Sequence, residues 1–210
     1  ITLKPEPVTD GPLEPPPSDR LDGGHILLTS ATTGHYKKVW ANPAGLETGV
    51  GAGLQRIKDQ IGDLAGPDQR AVNMGSFGLW TGMGYGVPIG MWFLGSTVVI
   101  WQAPEPWRSF DWPGITNAIV TPAFLQAILE APEGALKPQP SVNIGVVGGA
   151  MSTMLARKAR ERLSPRIVNM LGSTEGGFWA MTPILNDEDL RLHRVSPTQT
   201  HAGLTVPNPP

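Results

Sequence analysis

The sequence predicts an α/β fold: a layered, mostly parallel sheet with helices on both faces. Three observations predict it. Short apolar runs alternate along the chain with stretches whose apolar residues recur every three or four positions, the pattern of strands alternating with helices. Runs such as "TVVIW" (97–101) and "NIGVV" (143–147) are apolar without alternation, which suits strands covered on both faces. Loops rich in glycine and hydroxyl residues follow some of these runs, and open α/β sheets bind ligands outside the carboxyl ends of their strands.

Taken in order, residues 1–20 carry six prolines and read as an extended lead-in. The folded unit is expected over 21–195, with a second proline-rich tail at 196–210. "HILLTS" (25–30) reads as a strand. Leu46, Val50, Leu54, Ile57 and Ile61 predict a helix over 43–62, ended by Gly62 or Gly66. "AVNMG" (71–75) is a short strand, 79–94 a buried helix, Gly95-Ser96 a turn, and 97–101 a buried parallel strand. "ITNAIVT" (115–121) is the next strand, followed by a helix over 122–130 with Pro122 in its first turn. "VNIGVVGG" (142–149) is a strand ending in glycines. A helix over 152–163 takes Ser152 as its N-cap. "RIVNML" (166–171) is the last strand.

The bulk properties bound the function. The chain has 210 residues, 40% of them hydrophobic and 16% charged, enough for a sizeable core. A formal net charge of −2 gives no basic field for nucleic acid. The absence of cysteine excludes disulfides, thiolate catalysis and Cys-based zinc sites. Residues 1–20 lack the basic-then-apolar order of a secretory signal, and a cytoplasmic location is expected. Residues 71–104 contain no charged side chain, which raises a membrane span. Seven glycines and Pro88 make that stretch a poor single helix, so no transmembrane span is expected.

Three loops follow strand candidates. In "TSATTGHYKK" (29–38), small hydroxyl residues let the backbone curl round an anion, and Lys37 adds a charge on a flexible stem. On composition alone it fits either a phosphate-gripping loop or a plain Ser/Thr turn, and it lacks the Walker spacing. "VVGGAMS" (146–152) fits a tight turn or the close approach of a flat ligand. "LGSTEGG" (171–177) offers two hydroxyls and Glu175, a ligand for a hard cation such as magnesium.

Together and in order, the loops resemble the adenylate-forming superfamily of acyl-CoA synthetases, luciferases and peptide-synthetase adenylation domains, the AMP-binding enzymes. The family's phosphate loop, roughly [ST]-S-G-[ST]-T-G-x-P-K-G, is matched at Thr29, Ser30, Thr32, Thr33, Gly34 and Lys37. Its GGA loop is matched by Gly148, Gly149 and Ala150. Its aromatic-G-x-T-E motif is matched at Gly172, Thr174 and Glu175, with Ser173 between. The resemblance spans about residues 24–183 and corresponds to the central part of the family's large N-terminal domain.

The resemblance implies ATP-dependent activation of a carboxylic acid as an acyl-adenylate, then transfer to a thiol, either coenzyme A or a carrier protein, as in fatty-acid or aryl-CoA ligases. Lys37, Thr174 and Glu175 would be the catalytic set. Thr29, Ser30, Thr32, Thr33, Gly34 and Lys37 would clasp the β- and γ-phosphates, Thr174 the α-phosphate, and Glu175 would bind magnesium. Gly148, Gly149 and Ala150 would line the adenine and acyl pocket, and Gly172 and Ser173 would border the nucleotide. The charge-free stretch near Trp80 to Met91 suits an apolar acid, although most of it also reads as core. Ala31, Tyr36 and Lys38 stand where the family has Gly, Pro and Gly, and Leu171 where it has an aromatic. The ribose-binding Asp motif and the lysine-bearing C-terminal domain have no counterpart here. An incomplete domain is therefore expected. A non-catalytic nucleotide-binding or interaction module is the alternative.

Two charged features read as surface. Arg157, Lys158, Arg160 and Arg162 on the 152–163 helix could attract the phosphates of coenzyme A, but form a short basic face of the usual solvated kind. "NDEDL" (186–190) reads as a surface turn or helix start.

Overall fold

The computed structural model describes residues 24–29, 37–41, 66–73, 76–101, 103–174 and 177–191. The predicted 43–62 helix, the lead-in and the proline-rich tail lie outside the described residues. β1 (His25–Leu28) and β2 (Lys38–Ala41) form an antiparallel pair by themselves. A six-stranded sheet follows, made of β3 (Arg70–Asn73), β4 (Thr97–Ile100), β5 (Asn117–Val120), β6 (Asn143–Val146), β7 (Ile167–Ser173) and β8 (Gly177–Pro183). Their spatial order is β4-β3-β5-β6-β7-β8. All neighbours are parallel except β7 and β8. The expected mostly parallel sheet is present.

Strand alternation sorts the core into two clusters. From β5, Ala118 and Val120 join one cluster and Ile119 the other; from β7, Ile167 joins the first and Val168 with Met170 the second. Successive strand residues point to opposite faces, so these clusters lie on opposite sides of the sheet. α2 (Pro122–Leu129) and α3 (Thr153–Arg162) supply Leu125, Ile128, Leu129, Leu155, Ala156 and Ala159 to the first. α1 (Gly82–Phe93) supplies Met91 to the second, with Met83 and Val87 packed beside it. Helices thus cover both faces, as the unalternating strands require.

Local chemistry accounts for the helix ends. Thr121 caps α2 by accepting from the Phe124 N–H (3.2 Å), with Pro122 at the first helical position. Ser152 caps α3 by accepting from the Leu155 N–H (3.2 Å), as the sequence predicts. Arg162 of α3 donates to the Leu129 and Ala131 carbonyls and so satisfies main-chain acceptors at the carboxyl end of α2. α1 ends on Gly95 at φ +81°: its N–H bonds Trp92 O (2.9 Å) and the Ser96 N–H bonds Met91 O (2.8 Å), a Schellman ending. At the amino ends of the strands, Asn143 Nδ2 donates to Asn117 Oδ1 (3.0 Å) and Asn117 Nδ2 to Gln69 Oε1 (3.1 Å). These bonds satisfy the buried Asn117 amide and tie β5 to β6 in register.

Four expectations are corrected. β1 stops at Leu28 and joins no parallel sheet; it pairs with β2, because Lys38–Ala41 returns antiparallel beside it. The helix placed at 79–94 begins at Gly82, because Thr81 caps it, and it is not buried throughout. Only Gly84, Pro88, Gly90 and Met91 are buried, whereas Phe93 is 78% exposed. β4 is an edge strand among the described residues, with Ile100 exposed. The last strand runs on to Ser173 and is followed by antiparallel β8. Asp187–Leu190 is a single 3-10 turn capped by Asn186 in a capping box, in line with the helix-start reading.

Candidate functional site

Loop one connects the antiparallel strands β1 and β2, not a strand to a helix. The Thr29 N–H bonds Lys37 O (3.0 Å), and Thr29 Oγ1 accepts from the Lys37 N–H (3.2 Å). Thr29 is buried and closes the base of the turn; Lys37 is exposed beside it. Ser30, Thr32, Thr33 and Gly34 lie outside the described residues. Among the described residues the hairpin meets the segment before α1 through a main-chain bond from the Leu28 N–H to Trp80 O (2.7 Å), and the His25 ring meets Tyr85 of α1.

Loop two lies where the parallel-sheet rule puts it, at the carboxyl end of β6. The Val147 N–H bonds Val120 O (3.0 Å), which carries the β5–β6 ladder to the loop. Gly148 follows at φ +86°, in the region that favours glycine. A Cβ there would meet only Thr121 Cγ2 at 3.7 Å and Phe77 Cε1 at 3.8 Å, so backbone conformation and not crowding calls for glycine. Gly149 and Ala150 are exposed.

Loop three is shorter than the sequence suggests. Gly172 and Ser173 belong to β7, beyond an irregularity in register between Leu171 and Gly172. The turn before β8 takes only 174–176. Thr174 is half-buried, and Glu175 lies outside the described residues. A Cβ on Gly82 would lie 3.3 Å from Thr174 Cα and 3.4 Å from its Oγ1. The amino end of α1 therefore stands directly against Thr174.

The three loops meet on one short segment, residues 77–82. Phe77 faces Gly148 of loop two, Trp80 holds the hairpin of loop one, and Gly82 abuts Thr174 of loop three. That segment is folded back under its own helix. The Thr81 N–H and Oγ1 both bond Gly78 O (2.9 and 2.8 Å), and Thr81 Oγ1 accepts from the Gly84 N–H (3.0 Å). A Cβ on Gly84 would fall 2.2 Å from Gly78 O, so this fold-back requires glycine there. Sequence reasoning missed Phe77 and placed Trp80 and Gly82 only in the charge-free stretch suited to an apolar acid, not where the loops meet. Their signal was the run of glycines at 78, 82 and 84, which marks close backbone approach as well as poor helix propensity.

The segment brings together main-chain groups at the amino end of α1, the Thr174 hydroxyl and the Gly148 turn, and Lys37 stands at the base of the hairpin that bonds Trp80. Such a set can hold an anion. Among the described residues no three His, Asp or Glu side chains cluster as metal ligands. A magnesium ion bound through one carboxylate and substrate phosphates needs no such cluster.

The model of the family described as AMP-binding enzyme matches residues 2–209. The chain belongs to the AMP-binding enzyme family. No curated protein matches it. Solved structures share the fold of this AMP-binding chain at low identity. ATP-bound MatB from Rhodopseudomonas palustris has a TM-score of 0.59 at 16% identity, covering 77% of this chain and 31% of its own. The amide bond synthetase McbA from Marinactinospora thermotolerans has a TM-score of 0.54 at 20% identity, covering 80% and 32%. O-succinylbenzoate coenzyme A synthetase from Bacillus subtilis, in complex with AMP, has a TM-score of 0.55 at 19% identity, covering 75% and 39%. The chain spans between about a third and two-fifths of the length of these structures. No helix among the described residues of the AMP-binding chain is long and apolar enough to cross a membrane.

Proposed function

We propose that this chain is the nucleotide-binding part of an enzyme that activates a carboxylic acid with ATP as an acyl-adenylate and passes the acyl group to a thiol, that of coenzyme A or of a carrier protein. The observation that supports this reading best is the meeting of three family-like loops on residues 77–82. The chemical problem is charge: a carboxylate must approach a phosphate flanked by other phosphates, so positioning and neutralisation dominate. In this reading Lys37 neutralises the β- and γ-phosphates together with the hydroxyls of loop one. Thr174, steadied by Gly82, donates to the α-phosphate. Glu175 holds magnesium, which supplies charge neutralisation on the phosphates. The Gly148 turn leaves room for adenine and the acyl chain. An apolar acid suits the charge-free stretch beside it.

ATP–pyrophosphate exchange across a panel of aliphatic and aromatic acids, on a protein that carries this segment together with the family's lysine-bearing C-terminal domain, tests the reading. Acid-dependent exchange is expected, and binding of ATP without exchange for any acid supports a non-catalytic nucleotide-binding module instead. That second reading draws on Ala31, Tyr36 and Lys38 in loop one and on Leu171, partly exposed where the family carries an aromatic.

A further inference from the structure

Ser76 stands three residues beyond the carboxyl end of β3 and immediately before Phe77. Its hydroxyl oxygen is buried, yet it has no hydrogen-bond partner among the described residues. Buried hydroxyls nearly always have a partner, because desolvating one without compensation costs free energy. Other threonine hydroxyls of the loops have main-chain partners. Thr81 bonds Gly78 and Gly84, Thr121 caps α2, and Thr29 closes the hairpin. Ser76 also adjoins the segment on which the three loops meet. The Phe77 ring beside it faces the Gly148 turn, and the same segment continues to Trp80 and Gly82, where the other two loops are seated.

We infer that Ser76 is a binding residue for the reactants: its hydroxyl donates a hydrogen bond to an oxyanion oxygen that arrives with the ligand. This rests on the proposed function, whose two reactants both present such oxygens, the acid in its carboxylate and the nucleotide in its phosphates. A serine hydroxyl has one proton to donate and suits either acceptor. A bond to a charged oxygen is stronger than a neutral one and offsets the cost of leaving the hydroxyl unpaired in the free protein. Removing the hydroxyl should therefore separate stability from binding. Ser76→Ala deletes an unsatisfied group, so thermal stability stays level or rises, while affinity falls by about tenfold or more.

The test measures thermal unfolding and two calorimetric titrations on wild type and Ser76→Ala. One arm uses ATP with magnesium. The other uses acetate, octanoate and benzoate in the presence of a non-cleavable ATP analogue. A loss confined to the first arm assigns the phosphate as acceptor; a loss confined to the second assigns the carboxylate. Unchanged affinity in both arms overturns the inference alone, provided the wild type binds. A lower unfolding midpoint for Ser76→Ala also overturns it, because the hydroxyl would then have a structural partner. A wild type that binds neither nucleotide nor acid removes the proposed function, and the Ser76 assignment with it.

Discussion

Gly82 and Thr174, 92 positions apart in sequence, stand in direct contact across the candidate site: a Cβ on the first residue of α1 would come within 3.3 Å of the Thr174 Cα. The helix that covers one face of the sheet thus also stands against Thr174, just beyond β7. Gly82→Val places branched carbons where the Thr174 main chain now sits, and the cost of such overpacking is about 1–3 kcal/mol. The variant should stay folded by circular dichroism and bind ATP with magnesium about tenfold more weakly or worse, read by titration calorimetry.

Thr29 and Lys37 are expected to separate structure from binding. Lys37 is exposed, so Lys37→Ala should leave urea unfolding unchanged and weaken ATP binding. Thr29→Ala removes the side-chain acceptor of the Lys37 N–H and should cost about 1 kcal/mol in the same unfolding experiment. Thr29→Ser keeps that acceptor and should recover the loss.

Gly148→Ala should destabilise by about 1–2 kcal/mol, the cost of a side chain at positive φ, because the space itself is open. A cost near zero in denaturant unfolding would mean that the loop adopts another conformation.

Leu125 is fully buried in the larger core cluster, and Leu125→Ala should cost about 2–5 kcal/mol. Arg157 offers the contrast. Its pairing with Asp187, chiefly the hydrogen bond and then the charge, raises the Arg157 pKa, but the pair lies in solvent. Arg157→Ala should leave the unfolding midpoint where it is, at low and high salt alike.

Much of the fold was legible because burial writes itself plainly into some segments. β5, β6 and β7 are apolar runs, and Thr121-Pro122 and Ser152 announce α2 and α3 through capping chemistry. The β1–β2 pair was not legible. "HILL" is as apolar as a parallel strand, and the mixed "KVWA" carries no strand period to mark it as the partner. β8 was hidden by Gly177 and Pro183 at its ends. The exposed side of α1 was hidden because this stretch has no charge to mark a solvent face. For the site, the placing of loops two and three at strand ends was readable from sequence. The segment that joins all three loops was not, since contacts such as Gly82 with Thr174 arise only when distant strands close into one sheet.

Titration calorimetry with ATP and magnesium, run on the wild type, Lys37→Ala and Thr174→Ala, tests most directly whether the three loops form one nucleotide site. Saturable binding by the wild type, weakened by about tenfold or more in each variant, is the predicted result. Absence of binding, or equal affinity in all three proteins, would contradict it.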